Sequence, residues 1–271
     1  QYEYAREALK NGLKLGEKLG INPYQFGMVG STDSHTGLAT AEEENFFGKH
    51  SGTEPGPKRS QHPMAETANG RYESWDMVSS GLAAVWAKEN TREALFEAMM
   101  RKETYATTGP RILVRFFGGW DFTEQDAMSR LPGSIGYAKG VPMGGDLMPA
   151  PDGKKAPTFL VAALKDPYSG NLDRIQVIKG WYEDGDLQES VLDVAGGDND
   201  ASVDLSTCET SGRGHAQLCS VWQDKNFNPN AQAFYYTRVL ENPSCRWSQR
   251  LCEDASVRCD DPSSIPQCME N

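Results

Sequence analysis

Nowhere do about 18 apolar residues run together, so no stretch reads as a membrane-spanning helix. No Gly-x-Ser-x-Gly elbow occurs, which removes the sequence mark of a serine hydrolase. No Cys-x-x-Cys pair occurs either, and that weighs against a structural zinc. Histidine is scarce, at four residues: His35, His50, His62 and His215. Basic side chains are in deficit, with 27 Lys and Arg against 38 Asp and Glu and a net charge of −11. Such a chain gains nothing from a phosphate backbone, so nucleic acid is not an expected partner, and solubility suffices to explain the charge.

Cysteine is missing until late in the chain. All six cysteines lie at Cys208, Cys219, Cys245, Cys252, Cys259 and Cys268, in a region rich in Gly, Pro and turns. An even number confined to such a region suggests disulfides and, with them, a periplasmic or extracellular setting. Pairing of sequence neighbours is the simplest expectation: Cys208 with Cys219, Cys245 with Cys252, and Cys259 with Cys268.

The most informative stretch is Gly-Ser-Thr-Asp-Ser-His-Thr-Gly, residues 30–37. An apolar run over 26–29 leads into it and reads as a short buried strand bounded by glycines. If the strand continues, Asp33 and His35 point the same way, because side chains two apart share a face. A carboxylate beside an imidazole makes a pair of ligands for Zn, Mn or Fe. By spacing alone, Asp-x-His is also an ordinary Asx turn beside a surface histidine.

These residues resemble the last metal-binding motif of the PHP (polymerase and histidinol phosphatase) superfamily, in which a terminal Asp-x-His supplies ligands to a multinuclear site. The segments EEENFFGKH (42–50), VWAKENTREALFEAM (85–99), YATTGPRI (105–112), GVPMGGDL (140–147) and FYYTRVLENPSCRWS (234–248) are similar to one family in particular, the PHP-like domain of unknown function numbered 3604. The resemblance implies an α/β plus β fold. Residues 1–111 would form the C-terminal portion of a PHP-type (β/α) barrel with a long irregular loop over 38–80. Residues 112–271 would form an antiparallel β-sandwich-like domain with a disulfide-rich tail. It also implies a divalent transition metal held by Asp33 and His35, with the remaining ligands outside this segment, since such proteins use an earlier His-x-His that is not found here. The chain opens without Met inside what reads as a helix, so it is expected to be a processed product or a fragment.

Local patterns fill in the rest. Residues 2–19 read as an amphipathic helix capped by Gly20 and stopped by Pro23. Within the loop, His50 and His62 are candidate contributors to the site, and Phe46 and Phe47 are expected anchors. Residues 90–101 read as a helix capped by Asn90, with Glu93 completing a capping box and Ala94, Leu95, Ala98 and Met99 as the buried stripe. In the corner at 107–111, the Thr108 hydroxyl and the Arg111 guanidinium are candidate catalytic groups that stabilise an anionic oxygen; the competing reading is a corner with Arg111 in an ion pair. Beyond it, strands are expected at 113–117, 158–164, 172–179, 191–194, 218–222 and 233–240, with a hairpin at Asp184-Gly185.

The sequence is therefore expected to encode a metal-dependent hydrolase. Metal-activated water would attack a small ester or phosphoester substrate. The alternative is a secreted binding or structural module whose metal site is vestigial.

Overall fold

A computed structural model gives the fold. It describes residues 4–38, 42–52, 54, 56, 63–74, 77–79, 81–154 and 156–254, the side chains of 252–254 excepted. In chain order, α1 (Ala5–Leu19) is followed by a 3-10 turn (Glu43–Asn45), β1 (Pro63–Thr67), β2 (Gly70–Glu73), β3 (Leu82–Val85), α2 (Arg92–Met100) and β4 (Thr104–Thr107). The remainder runs β5 (Leu113–Gly119), α3 (Glu124–Ala127), α4 (Pro132–Lys139), β6 (Gly140–Pro142), β7 (Thr158–Leu164), β8 (Leu172–Glu183), β9 (Asp186–Gly196), β10 (Ser202–Val203), β11 (Thr210–Ser211), β12 (Gln217–Gln223), β13 (Gln232–Glu241) and α5 (Trp247–Asp254).

Two antiparallel sheets dominate. One has the order β12-β7-β5-β6 and the other β13-β8-β9. Strand alternation sends Val114, Phe116, Phe159, Val161 and Ala163 of the first sheet, and Leu172, Ile175 and Val177 of the second, into one shared core. Phe159 sits at its centre, 5.5 Å from the Phe116 ring and 5.6 Å from Trp222 within its own sheet. Across the gap it lies 4.4 Å from the Tyr235 ring. This β-rich arrangement is compatible with a β-sandwich. The opposite face of the first sheet carries Phe117 and Leu160, packed with Ile135 of α4 and Ala127 of α3. The outer face of the second sheet is covered by α1, whose Arg6 and Lys10 reach Glu189 on β9 at 3.2 and 3.4 Å.

The expected (β/α) barrel is not present. Every ladder between named strands is antiparallel, whereas that barrel is made of parallel strands, and the described residues form no closed barrel. The supposed barrel strand at 26–29 is irregular, with Phe26 39% and Val29 56% exposed. It runs instead along the antiparallel β3–β4 pair, where the Thr104 hydroxyl donates to the Met28 carbonyl at 3.2 Å. An apolar tetrad between glycines has the composition of a buried strand, but composition does not supply a hydrogen-bonding neighbour.

Other expectations are adjusted in detail. The loop over 38–80 contains the β1–β2 hairpin, turning at Ala68-Asn69. The α2 cap is Thr91, not Asn90: its hydroxyl accepts from the Ala94 N–H at 3.3 Å. Of the proposed α2 stripe only Ala98 is buried, and Met99 is 48% exposed. The six expected strands of the second half form, most of them longer than expected, and Asp184 and Gly185 take φ values of 53° and 91°, as a type I′ hairpin turn requires.

The cysteine pairing also differs. Cys208 is joined to Cys245, 37 residues on, and Cys219 is free. The Cys208–Cys219 and Cys245–Cys252 pairings are thereby excluded, while Cys259 and Cys268 lie outside the described residues. Cys219 is on β12 and packs with the Phe117–Leu160 cluster, and burial pushes its thiol pKa up. Cys208 stands on a turn with φ 55°, outside the strands. A disulfide is compatible with a secreted or periplasmic protein. Among the described residues no helix is long and apolar enough to cross a membrane.

Two outcomes follow for stability. Phe159→Ala is expected to lower the unfolding free energy by about 3–5 kcal/mol, whereas Leu113→Ala, 47% exposed on the same sheet, costs far less; urea denaturation compares them. Cys208→Ser removes a cross-link over a 37-residue separation and is expected to cost about 4 kcal/mol, with the loss reproduced by reductant in the wild type.

Candidate functional site

The turn that carries Asp33 and His35 begins beside the corner after β4. Gly30 lies so close to the β3–β4 pair that a Cβ there would meet the Leu82 and Thr107 carbonyl oxygens at 2.9 Å, so only glycine fits. At Asp33 the chain turns, with φ 51°. The strand alternation that would put Asp33 and His35 on one face is therefore broken, and the carboxylate stands exposed at the bend. Asp tolerates this left-handed conformation better than most residues.

Tertiary structure supplies His35 with a different neighbour. The His35 N–H donates to the Lys49 carbonyl at 2.6 Å, and His35 and His50 form an isolated parallel bridge. Their rings stack with centroids 4.3 Å apart and planes within 7°. The Lys49 ammonium turns back under the loop and donates to the Thr32 carbonyl at 2.7 Å. Glu54 accepts from the Lys49 N–H at 3.1 Å, and its own N–H donates to the His50 carbonyl at 2.9 Å. Lys49 and Glu54 are both buried, so charges of both signs underlie an exposed imidazole pair.

The loop holding His50 is pinned from the far end of the chain. Phe46 is buried against Trp247, ring centroids 4.7 Å apart, which bears out its reading as an anchor. The Trp247 N–H donates to Glu43 at 2.8 Å, while the Trp247 indole and the Arg246 guanidinium both donate to the Met77 carbonyl. Cys245 is tied by its disulfide to Cys208, next to these residues in sequence. Sequence reading missed the parts played by Lys49, Glu54, Arg246 and Trp247. The only signal was the run Phe46-Phe47-Gly48-Lys49-His50, whose aromatic pair implies a docking partner without naming it.

Arg111 and Thr108 sit at the neighbouring corner. The Arg111 guanidinium pairs with Glu42 at 3.4 Å, with the two side chains 64% and 48% exposed, so the pair is weak. Its contacts include neither Asp33 nor His35. Thr108 is exposed. His62 lies outside the described residues.

The donor types suit a transition metal, but the described residues contain no group of three or more His, Cys, Asp or Glu side chains able to hold one. Ring-nitrogen lone pairs lie in the ring planes, so the two stacked imidazoles direct theirs side by side and not toward one point. Convergence on a single ion would require a ring to rotate.

The corner itself is fixed by Asp166. Its carboxylate accepts from the Arg111 N–H at 2.6 Å and from the Tyr168 N–H at 2.9 Å. Burial alone raises the pKa of this carboxyl group. The two backbone donors and the charges of Arg111 and Lys165 outweigh that and hold it below the usual value.

A mainly antiparallel β protein with peripheral helices, bearing a stacked histidine pair on a loop-built surface, is the class these features define. A family model described as "Protein of unknown function (DUF3604)" matches residues 1–269, and the chain belongs to that family. No curated protein and no solved structure matches it.

A lowered folded-state pKa gives stability that is present above the unfolded carboxylate value of about 3.9 and is lost as pH falls through the lower folded value. The gap in unfolding free energy between the wild type and Asp166→Asn should therefore stay level from about pH 5 to 8 and shrink in acid, as read by urea titration at each pH.

Proposed function

We propose that this chain contributes one wall of a metal-dependent hydrolase site in a periplasmic or extracellular protein related to the PHP superfamily. One observation carries the reading: residues far apart in sequence, His35 and His50, are brought ring to ring beside the Asp33 turn. With one imidazole rotated out of the stack, Asp33, His35 and His50 are the residues of this chain that would hold a divalent transition metal, Zn, Mn or Fe, together with ligands beyond the described residues. Such an ion supplies a bound water of lowered pKa and polarises an ester or phosphoryl oxygen.

The chain's own residues have two further tasks in this reading. Lys49 and Glu54 fix the His50 segment against the Asp33 turn, so that the imidazoles are presented without ordering a free loop. Thr108 and Arg111 stand at the corner that abuts Gly30, where they would meet a developing oxyanion on a small ester or phosphoester. The exposed Arg111–Glu42 pair is weak enough to exchange for that anion.

Metal analysis and hydrolysis test this together. Protein purified without chelator is expected to carry a transition metal and to hydrolyse members of a panel of phosphate and carboxyl esters. His35→Ala and Asp33→Ala should each lower metal affinity by at least the roughly 10–100-fold that loss of even an outer-shell partner costs, with activity falling alongside. Metal-free protein together with unchanged hydrolysis in Asp33→Ala would overturn the reading.

A further inference from the structure

The two sheets are unequal in length, and the overhang makes a cleft. Strands β8, β9 and β13 span 12, 11 and 10 residues, whereas β5, β7 and β12 span 7 each. Phe159, near the start of β7, already packs on Tyr235, so the inner face of the longer sheet continues past its partner. Direct pairing of Lys179 with Tyr235 and Ser190, and of Trp181 with Ala233, puts these side chains on that inner face, in line with Ile175 and Val177 of the core. The segment after β12, containing Asp224, Asn226, Phe227 and Asn228, closes over the end. The space enclosed is about 240 Å³.

The most stable filling for the end of a core is apolar, yet this end is lined by a polar network. The Lys179 ammonium and the Asp224 carboxylate, both nine-tenths buried, meet at 2.6 Å. The Tyr235 hydroxyl donates to the same carboxylate at 2.7 Å, and its pKa is pushed up by burial and by Asp224, so it remains a donor. Lys179 also donates to the Asn226 carbonyl at 3.0 Å, which leaves the third of its donors directed among the rings of Trp181 and Tyr235. Glu183 is held by the Trp181 indole and the Asn228 amide. A desolvated ion pair of this kind is often no more stabilising than an apolar replacement, so its presence in a cleft points to recognition.

The lining restricts what fits. One ammonium against the carboxylates of Asp224 and Glu183 leaves the wall slightly negative, which disfavours an anion, and the central Lys179 disfavours a cation. An apolar ligand would strip water from the Ser190 hydroxyl, the Asn226 amide and Lys179 without replacing it. The cleft is smaller than the roughly 300–1,000 Å³ pockets that take drug-sized ligands, so it holds one small ring and not a chain. We propose that this cleft binds a single neutral sugar ring, with C–H faces against the aromatic wall of Trp181 and Phe227 and hydroxyls bonded to Ser190, Asn226 and Lys179. The ring would be a free monosaccharide or the terminal unit of a glycan.

The proposal is independent of the metal reading, and its test separates the two. The whole chain is titrated with methyl glycosides of glucose, galactose, mannose and N-acetylglucosamine, followed by tryptophan fluorescence and calorimetry. Saturable binding of at least one is expected, weakened roughly tenfold by Asn226→Ala or Ser190→Ala and more by Trp181→Ala, and unchanged in His35→Ala. Asn226 is exposed, so its substitution leaves folding intact even where Trp181→Ala does not. Binding of a disaccharide bearing the same terminal ring with equal affinity identifies a glycan end; weaker binding identifies the free sugar. No saturation by any glycoside, or saturation unaffected by both Asn226→Ala and Ser190→Ala, overturns the proposal, as does tighter binding of acetate or inorganic phosphate.

Discussion

The contact on which the structure depends is the meeting of Phe159 with Tyr235 across the gap between the two sheets. Each sheet alone presents one apolar face to water, and burying both faces against each other is the main source of free energy available to this chain. Their outer faces are then covered separately, the first by α3 and α4, the second by α1. The same contact marks where the shorter sheet ends. Beyond it the longer sheet faces the segment after β12, and a hydrogen-bonded ion pair stands where the core would otherwise be packed with apolar side chains.

The histidine pair depends on a different kind of constraint. His35 and His50 lie on segments without a ladder of their own, joined by one isolated bridge. Besides Lys49 and Glu54, what holds the His50 loop comes from the start of α5 and the segment before it: a disulfide at Cys245 and the Trp247 ring packed on Phe46, with hydrogen bonds to Glu43 and Met77. A site assembled this way is positioned by chain closure over some two hundred residues and not by the end of a strand. Damage to the disulfide would reach the histidines without touching them.

Much of the sheet framework was legible, because each strand of the second half alternates or runs apolar between strong turn signals, and Asp184-Gly185 selects its hairpin locally. The β1–β2 turn at Ala68-Asn69 carried no comparable signal, and the polar residues around it hid the strands. The apolar run at 26–29 misled for the opposite reason: it has strand composition and no partner. In the candidate site, Asp33, His35 and His50 could be singled out one by one. Their arrangement could not, since the bridge to His50 is a contact between segments distant in sequence.

By itself, the sequence determined the family, the strands of the second half and the residues capable of site chemistry, because motif, alternation and turn preference all act within a few residues of each other. Tertiary structure alone decided that the described residues form no (β/α) barrel, that Cys208 joins Cys245, that His35 stacks on His50, and that Lys179 is buried beside Asp224. Each of these is a choice among partners far apart in the chain. That choice is made by which faces can be buried together, and local pattern does not encode it.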